Sequence, residues 1–256
     1  MSYIHDMVDE RNIEIDNVGI CRYKLPIVFE SKNKYNVISE IRAGVSLGSN
    51  VKGAHLSRIV EVLDEMVANR VISINSLNYV LEELVKRLEL NNANLSLSFG
   101  IVYPKVTPVS NRVTYLNSDI ILNGKLNNCV LEKNISLTTQ GAMLCPNSKS
   151  ISKYGAHSQK CNLKATLHGD IDGLVIEEIL EIISSQFSAE VYGIVKSVDE
   201  KLLTEKAYEN PKFSEDLVRD TLIALKQYYN GGMICAEIEN LESIHQHNVY
   251  ARGLVR

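Results

Sequence analysis

The segments Glu40-Ile-Arg-Ala-Gly-Val-Ser-Leu47 and Leu95-Ser-Leu-Ser-Phe-Gly-Ile101 decide the fold, because each alternates apolar with polar or small residues. An alternation with period 2 is typical of a β-strand that buries one face. The residues between these segments carry apolar side chains at helical spacing instead. The pattern therefore predicts two half-buried strands with helices between them.

Two helices are predicted in the interval. The apolar stripe of the first consists of Leu56, Ile59, Val60, Leu63, Met66 and Val67. Asn75 is a suitable cap for the second helix, and Asn91-Asn92 would end it. Its apolar positions include Val80, Leu81, Leu84, Val85 and Leu88.

Further strands flank this unit. Residues 18–29 read as a strand bent by Pro26, and the polar turn 31–36 joins it to the strand at Glu40. Pro104 and Pro108 interrupt the chain after Ile101, and residues 112–122 read as another strand. The first half of the chain is thus predicted to be ββααββ.

The same order of elements returns after Asn123-Gly124, which is a turn signal. Strands are predicted at 128–138 and 160–168, and closing strands at 233–239 and 244–251. Asp172 is a suitable cap for a helix that runs to about Phe187. Asn210-Pro211 is a strong start for a second helix, which runs to Tyr229.

This repeat predicts an α+β fold of two tandem modules, 1–123 and 124–256. Each module would be an antiparallel four-stranded sheet with two helices on one face. Open sheet edges need cover. Closure of several modules into an oligomeric barrel would supply that cover, so the pattern favours a homo-oligomer.

Composition excludes several classes of protein. The chain has 256 residues, a net charge of −4, 45% hydrophobic and 23% charged residues, which is ordinary globular composition. The acidic balance argues against nucleic acid as a partner. No apolar run approaches the roughly 20 residues of a membrane helix, and no secretory signal is visible. Five scattered cysteines indicate reduced thiols, so we expect a cytoplasmic protein.

Residues with metal-binding and acid–base chemistry fall in two predicted connections and in the last predicted strand of the second half. The long loop 139–159 contains Cys145 and His157, and the acidic link 188–210 follows the next helix. His245 and His247 would share one face of the last strand pair. Cysteine, histidine and glutamate together suit a divalent metal, although a solvated helix connection and an inert loop cysteine remain alternatives.

Five motifs together resemble the type IB GTP cyclohydrolases. They are Lys52-Gly-Ala-His-Leu-Ser-Arg58, Leu144-Cys-Pro-Asn-Ser-Lys149 with Tyr154-Gly-Ala-His-Ser-Gln159, Asp199-Glu-Lys201, Thr204-Glu-Lys-Ala-Tyr-Glu-Asn-Pro-Lys-Phe-Ser-Glu-Asp216, and Glu242-Ser-Ile-His245. Their order along nearly the whole chain makes the resemblance specific.

The resemblance implies a tunnelling fold that assembles into a homotetramer with active sites at subunit interfaces. It implies conversion of GTP, by hydrolysis at C8, to formate and 7,8-dihydroneopterin triphosphate. This reaction is the first step of tetrahydrofolate biosynthesis and, in many bacteria, leads to queuosine. It also implies one divalent metal per active site, which could be zinc, iron or manganese.

The resemblance also assigns residues. Cys145, His157 and Glu200 match the metal ligands, and His245, with His157 and Cys145, matches the catalytic groups. Glu215 matches the glutamate that anchors guanine. The candidate triphosphate contacts are His55, Ser57, Arg58, Ser148, Lys149 and Lys160.

The chain departs from the family pattern at a few positions. Asn147 stands where the family usually has a second cysteine, and Ala54 and Leu56 replace threonine and methionine. Two alternatives therefore stay open at this point. One is a diverged paralogue that acts on a related purine or pterin, and the other is a catalytically silent oligomer that binds purines.

Overall fold

The computed structural model describes residues 7–256 and shows an α+β protein with a mostly antiparallel ten-stranded sheet and six helices. The strands are β1 (Ile15–Glu30), β2 (Lys34–Leu47), β3 (Val71–Ile72), β4 (Asn92–Val106), β5 (Val113–Asn127), β6 (Val130–Leu144), β7 (Ser158–His168), β8 (Ala189–Glu190), β9 (Ile234–Asn240) and β10 (Val249–Val255). The helices are α1 (Leu56–Met66), α2 (Ser76–Leu88), α3 (Pro146–Ile151), α4 (Ile176–Ser184), α5 (Ser197–Glu209) and α6 (Ser214–Tyr228).

The strand order in the sheet is β10-β9-β7-β6-β5-β4-β2-β1-β3, and β8 pairs with β6. The short β3 is parallel to β1. Among the helices of residues 7–256, none is both long and apolar enough to cross a membrane.

The chain forms two compact units. The first comprises residues 1–100, 120–135 and 170–174, of which the first six lie outside the described residues. In this unit the buried faces of α1 and α2 carry Ile59, Leu63, Leu81 and Leu84, each at most 1% exposed. Amphipathic helices thus cover one face of the strands, as the apolar stripes predict.

The second unit comprises residues 101–119, 136–169 and 175–256, and it contains the two motifs around Cys145 and Glu215. Its core includes the inward side of β7, formed by Cys161, Leu163, Ala165 and Leu167, which are all fully buried. Burial raises the pKa of the Cys161 thiol to about 12, so this cysteine stays a neutral apolar group.

The alternating strands are confirmed. Ile41, Ala43, Val45 and Leu47 are buried on β2, and Leu95, Leu97, Phe99 and Ile101 are buried on β4. Because a period of 2 points every second side chain to the same face, only one pairing register of each strand places its apolar side chains against the core.

Pro26 does not interrupt the pairing of β1, since it lies in register opposite Ile38. The register shifts of this strand pair fall between Ile15 and Val18 and between Ile20 and Tyr23, where Arg22 has φ +58°. Pro104 likewise fails to interrupt β4. An extended strand accommodates the φ of proline wherever its missing N–H is not needed by a neighbouring strand.

The predicted turn at Asn123-Gly124 is also wrong, because both residues lie inside β5. The turn comes at Asn128 and Cys129, whose φ values are +47° and +66°. Gly124 has a packing role instead, since a Cβ there would lie 2.7 Å from the Leu81 side chain.

Two of the three predicted helix caps are corrected by the structure. Asn75 is the N-cap residue of α2, as predicted, although its side chain makes no capping hydrogen bond. Asp172 forms an ion pair with the buried Lys133, and α4 begins four residues later. Asn210 ends α5, and its side-chain amide donates to the carbonyl of Phe187 at 3.2 Å. For Asp172 and Asn210 a tertiary contact replaces the local capping bond.

Candidate functional site

The long loop predicted at 139–159 is shorter than expected, because β6 continues to Leu144 and α3 follows at once. Cys145 is the N-cap residue of α3, and Pro146 occupies the first helical position. The Cys145 sulfur accepts a hydrogen bond from the backbone N–H of Ser148 at 3.4 Å. The helix start therefore fixes the half-buried thiol at the end of β6.

His157 is held beside Cys145 by the backbone. The N–H of Cys145 donates to the carbonyl of His157 at 3.1 Å. The Ser148 hydroxyl links the two residues again, since it donates to the Cys145 carbonyl at 3.2 Å and accepts from the His157 N–H at 3.2 Å. Gly155, with φ +131°, turns the chain into this arrangement.

The His157 ring is oriented through its Nδ1 atom. Nδ1 lies 2.9 Å from Oε1 of Gln159 and 3.3 Å from Oγ of Ser243. Nε2 is consequently the ring nitrogen that remains for a ligand or a reacting group. None of the sequence motifs indicated Ser243 as a partner of His157.

Glu200 projects from the first turn of α5, and its side chain is exposed. The predicted acidic link between two helices is thus wrong, because residues 197–209 form a helix of their own. The preceding residue, Asp199, is fully buried and receives hydrogen bonds from the N–H groups of Val109 and Ser110, both at 2.9 Å. Asp199 also caps α5 by accepting from the Lys196 N–H at 3.2 Å.

Burial opposes ionisation of Asp199, but its hydrogen bonds have the larger effect. The donors on Ser110, Val109 and Lys196 lower the pKa of the carboxyl group from 3.8 to about 2. The ionised Asp199 therefore anchors the beginning of α5, and with it the backbone of Glu200, to the segment before β5.

The donor chemistry of Cys145 and His157 fits a divalent transition-metal ion, because a thiolate and an imidazole oriented by a hydrogen bond are common ligands. The backbone brings these two residues together. Within residues 7–256, however, no three histidine, cysteine, aspartate or glutamate side chains are grouped for a metal ion. Glu200 completes the ligand set only as a proposal.

The remaining candidates of the second unit occupy different surroundings. The ammonium of Lys149 donates to the carbonyl of Tyr208 and lies 4.3 Å from the centre of that ring. Lys160 is exposed on β7. Glu215 is exposed in the first turn of α6, where the helix dipole favours a carboxylate.

His245 and His247 lie in the exposed loop between β9 and β10, and the predicted strand does not begin until Val249. Their rings stack with centroids 5.2 Å apart. The two imidazoles therefore lie side by side, although the period of a strand is not the cause. Both rings are open to solvent.

The first motif belongs to the other compact unit. His55 is the N-cap residue of α1, and Ser57 is exposed in the first turn. The guanidinium of Arg58 donates to the carbonyl of Arg87 at 3.0 Å and lies 3.8 Å from the Glu89 carboxylate. This motif accordingly places a cation near the end of α2.

A cavity of about 770 Å³ in the second unit is lined by residues on both sides of His157 and by α5. Ala142, Ala189 and Ala207 supply small apolar side chains, and Tyr154 and Tyr208 supply aromatic rings. A cavity of this size can hold a small organic molecule.

Two solved structures share this architecture. Uricase from Arthrobacter globiformis has a TM-score of 0.54 at 5% identity, covering 94% of this chain and 93% of that chain. A uricase from Bacillus fastidious has a TM-score of 0.58 at 11% identity, covering 96% and 94%. At such identities the likeness shows the fold alone, and it defines the chain as an α+β protein with a uricase-like fold.

Relatives in sequence identify the family of the chain more specifically than the solved structures do. A family model described as type I GTP cyclohydrolase folE2 matches residues 1–251. GTP cyclohydrolase FolE2 of Azoarcus sp. (strain BH72) is 36% identical over 251 residues, covering 97% of this chain and 92% of the relative. GTP cyclohydrolase FolE2 of Neisseria gonorrhoeae (strain ATCC 700825 / FA 1090) is 34% identical over 244 residues, covering 95% and 94%. The chain belongs to the type I GTP cyclohydrolase FolE2 family.

Proposed function

We propose that the chain is a GTP cyclohydrolase that hydrolyses GTP at C8, releases formate and forms 7,8-dihydroneopterin triphosphate for tetrahydrofolate biosynthesis. Membership of the FolE2 family over residues 1–251 is the observation that carries this function. The pairing of Cys145 with His157 adds a chemical reason, because a silent binding protein would not need a thiol and an oriented imidazole side by side.

Glu215 is the group that we assign to guanine recognition. Guanine presents N1–H and N2–H₂ as adjacent donors, and an ionised carboxylate can accept from both at once. Glu215 is exposed at the start of α6, so its oxygens are accessible to a ligand.

Cys145, His157 and Glu200 would hold a divalent metal, which could be zinc, iron or manganese. When bound, such an ion supplies Lewis-acid chemistry and lowers the pKa of water. The thiolate of Cys145 and Nε2 of His157 would contribute two of the donors, and the backbone hydrogen bond between these residues supports the assignment.

Proton transfers accompany ring opening and the release of formate. We assign them to His245, with His157 as the second candidate, because an imidazole exchanges protons near neutral pH. His245 is exposed, and its ring stacks on His247.

The triphosphate requires cationic and hydroxyl donors. We assign this part of the substrate to a set that comprises His55, Ser57, Arg58, Ser148, Lys149 and Lys160. For Lys149 the assignment requires that its ammonium exchange the Tyr208 carbonyl for phosphate oxygens.

We further propose a cytoplasmic homotetramer whose active sites lie at subunit interfaces. The division into tandem modules 1–123 and 124–256 follows the order of elements in the sequence and stays a prediction. Assembly into a barrel would cover the exposed edges of the sheet.

One assay tests the activity directly. The purified chain, reconstituted separately with zinc, iron(II) or manganese(II), is incubated with GTP, and the products are analysed for formate and for the absorbance of a pterin. Formation of both supports the proposal. GTP binding without formate would indicate a silent purine-binding oligomer, and release of formate with a different heterocycle would indicate a diverged paralogue.

A further inference from the structure

A short chain of hydrogen bonds leads away from His157 to the loop after β9. Nδ1 of His157 lies 2.9 Å from Oε1 of Gln159, and Nε2 of Gln159 donates to Oε1 of Glu242 at 3.5 Å. Glu242 lies 83 residues from Gln159 in the sequence, so the contact depends on the tertiary fold. We call Glu242, Gln159 and His157 the relay.

Glu242, at one end of the relay, determines which ring nitrogen of His157, at the other end, carries the proton. An ionised carboxylate can only accept hydrogen bonds, so the amide nitrogen of Gln159 must face Glu242. The amide oxygen then faces His157, and an oxygen next to Nδ1 requires a proton on Nδ1. In the neutral ring that arrangement leaves the lone pair on Nε2.

We propose that Gln159 is a positioning residue that fixes His157 as the Nδ1–H tautomer, with Glu242 fixing the orientation of Gln159. The Ser243 hydroxyl lies 3.3 Å from the same nitrogen and fits either tautomer, because it can accept from Nδ1–H or donate to an unprotonated Nδ1; the Gln159 oxygen, which can only accept, decides between them. This inference rests on the proposed function for its use, since His157 then offers Nε2 to a metal ion or to a proton. The tautomer itself can be measured without either.

The first experiment measures the tautomer in the metal-free protein at pH 8 by ¹⁵N NMR of labelled histidine. The His157 signals are identified by their loss in a His157→Gln variant. We expect a protonated Nδ1 and an unprotonated Nε2. Gln159→Leu removes the acceptor and should convert His157 to a mixture of both tautomers. A wild-type ring protonated on Nε2 overturns the proposal.

Gln140→Leu is the matched control. Gln140 also uses a side-chain amide across the sheet, where it donates to Asn162 at 2.9 Å, but it makes no contact with the relay. We expect the tautomer of His157 to be unchanged in this variant. An equal change in both variants would mean that the sheet, and not the relay, sets the ring.

Glu242→Gln alone gives a stricter test of the far end. A neutral amide can present either its oxygen or its nitrogen to Gln159, so it no longer determines which way the Gln159 amide faces. We therefore expect a mixture of both His157 tautomers in this variant. An unchanged Nδ1–H tautomer in a folded Glu242→Gln protein would refute the role of Glu242.

Zinc affinity, measured by calorimetry with the metal alone, reports the consequence. Partners that orient a histidine ligand typically contribute 10- to 100-fold to metal affinity. We expect about this loss in Gln159→Leu and none in Gln140→Leu. A wild-type tautomer as proposed, in a protein that does not turn over GTP, would refute the proposed function and leave the relay intact. Unchanged zinc affinity in Gln159→Leu would show that the relay does not serve metal binding.

Discussion

The carboxylate of Asp199 accepts a hydrogen bond from the backbone N–H of Ser110 at 2.9 Å and a second from the Ser110 hydroxyl. The two residues lie 89 positions apart in the chain. Since Asp199 also caps α5, this contact ties the helix that carries Glu200 to the segment between β4 and β5. The backbone of Glu200, the proposed carboxylate ligand, is therefore held in place at the start of α5.

The first prediction concerns the pH dependence of this contact. The pKa of Asp199 in the folded protein is about 2, below its ordinary value of 3.8. A lowered pKa stabilises the folded state above the ordinary value and loses that contribution as the pH falls towards 2. Asp199→Asn should therefore be less stable than wild type at pH 6, and the difference should shrink as the pH falls from about 5 to 3.

Urea unfolding followed by circular dichroism at pH 6, 4 and 3 checks this prediction. Glu209→Gln serves as the control, because Glu209 is an exposed carboxylate on the same helix. A difference between Asp199→Asn and wild type that stays constant over this range would show that ionisation of Asp199 does not stabilise the fold.

The second prediction concerns the thiol. Cys145→Ala should weaken metal binding by at least about 10-fold, because it removes an anionic ligand, and turnover of GTP should fall with it. Metal content after dialysis and formate release are the two measurements. Cys21→Ala is the control, since Cys21 is an exposed free cysteine in the other compact unit. Full turnover and unchanged metal content in Cys145→Ala would rule out a ligand role.

Sequence periodicity predicted the strands well because alternation is a local property. The buried side of β7, from Cys161 to Leu167, follows directly from period 2. Turns were less predictable, because the same residue types serve packing and turns. Gly124 gives room to Leu81 inside a strand, and the positive φ angles fall on Asn128 and Cys129, which are less typical of a turn than Asn-Gly.

Prediction of the candidate site from the sequence was limited in the same way. Motif resemblance singled out Cys145 and His157, and the backbone does join them. It did not indicate the contact of Ser243 with His157 or the anchoring role of Asp199, because their partners lie 86 and 89 positions away in the sequence. Contacts of that kind depend on the order of strands in the sheet, which a single sequence does not specify.

The third prediction concerns guanine. Glu215→Gln should weaken GTP binding by roughly 10- to 100-fold, since a hydrogen bond to a charged group contributes about 1.5–3 kcal/mol. Metal affinity should change far less. Calorimetry with GTP and with zinc separates the two effects, and Glu205→Gln on the exposed side of α5 is the control. Normal GTP binding in Glu215→Gln would contradict the assignment of the anchor.

The fourth prediction concerns the packing of β6. A Cβ at Gly141 would lie 2.0 Å from Cγ of Phe187, whose side chain is 1% exposed. Because the buried ring has to shift, Gly141→Ala should destabilise the protein by about 1–3 kcal/mol. Thermal unfolding measures the change. Gly48→Ala, where the nearest atom is 3.5 Å from the added Cβ, should change stability by less than about 0.5 kcal/mol.

The fifth prediction concerns the position where this chain departs from its family. Asn147 is exposed in the first turn of α3, and the Cys145 thiol is held by Ser148 and not by Asn147. Asn147→Cys should therefore retain the metal and should not lower turnover, because neither the cap nor the backbone bond to His157 involves that side chain. Asn147→Ser is the control for any effect specific to the second thiol, because serine is similar in size to cysteine but has no sulfur. Turnover abolished in Asn147→Cys and kept in Asn147→Ser would contradict this prediction and show that a second sulfur beside Cys145 is incompatible with turnover.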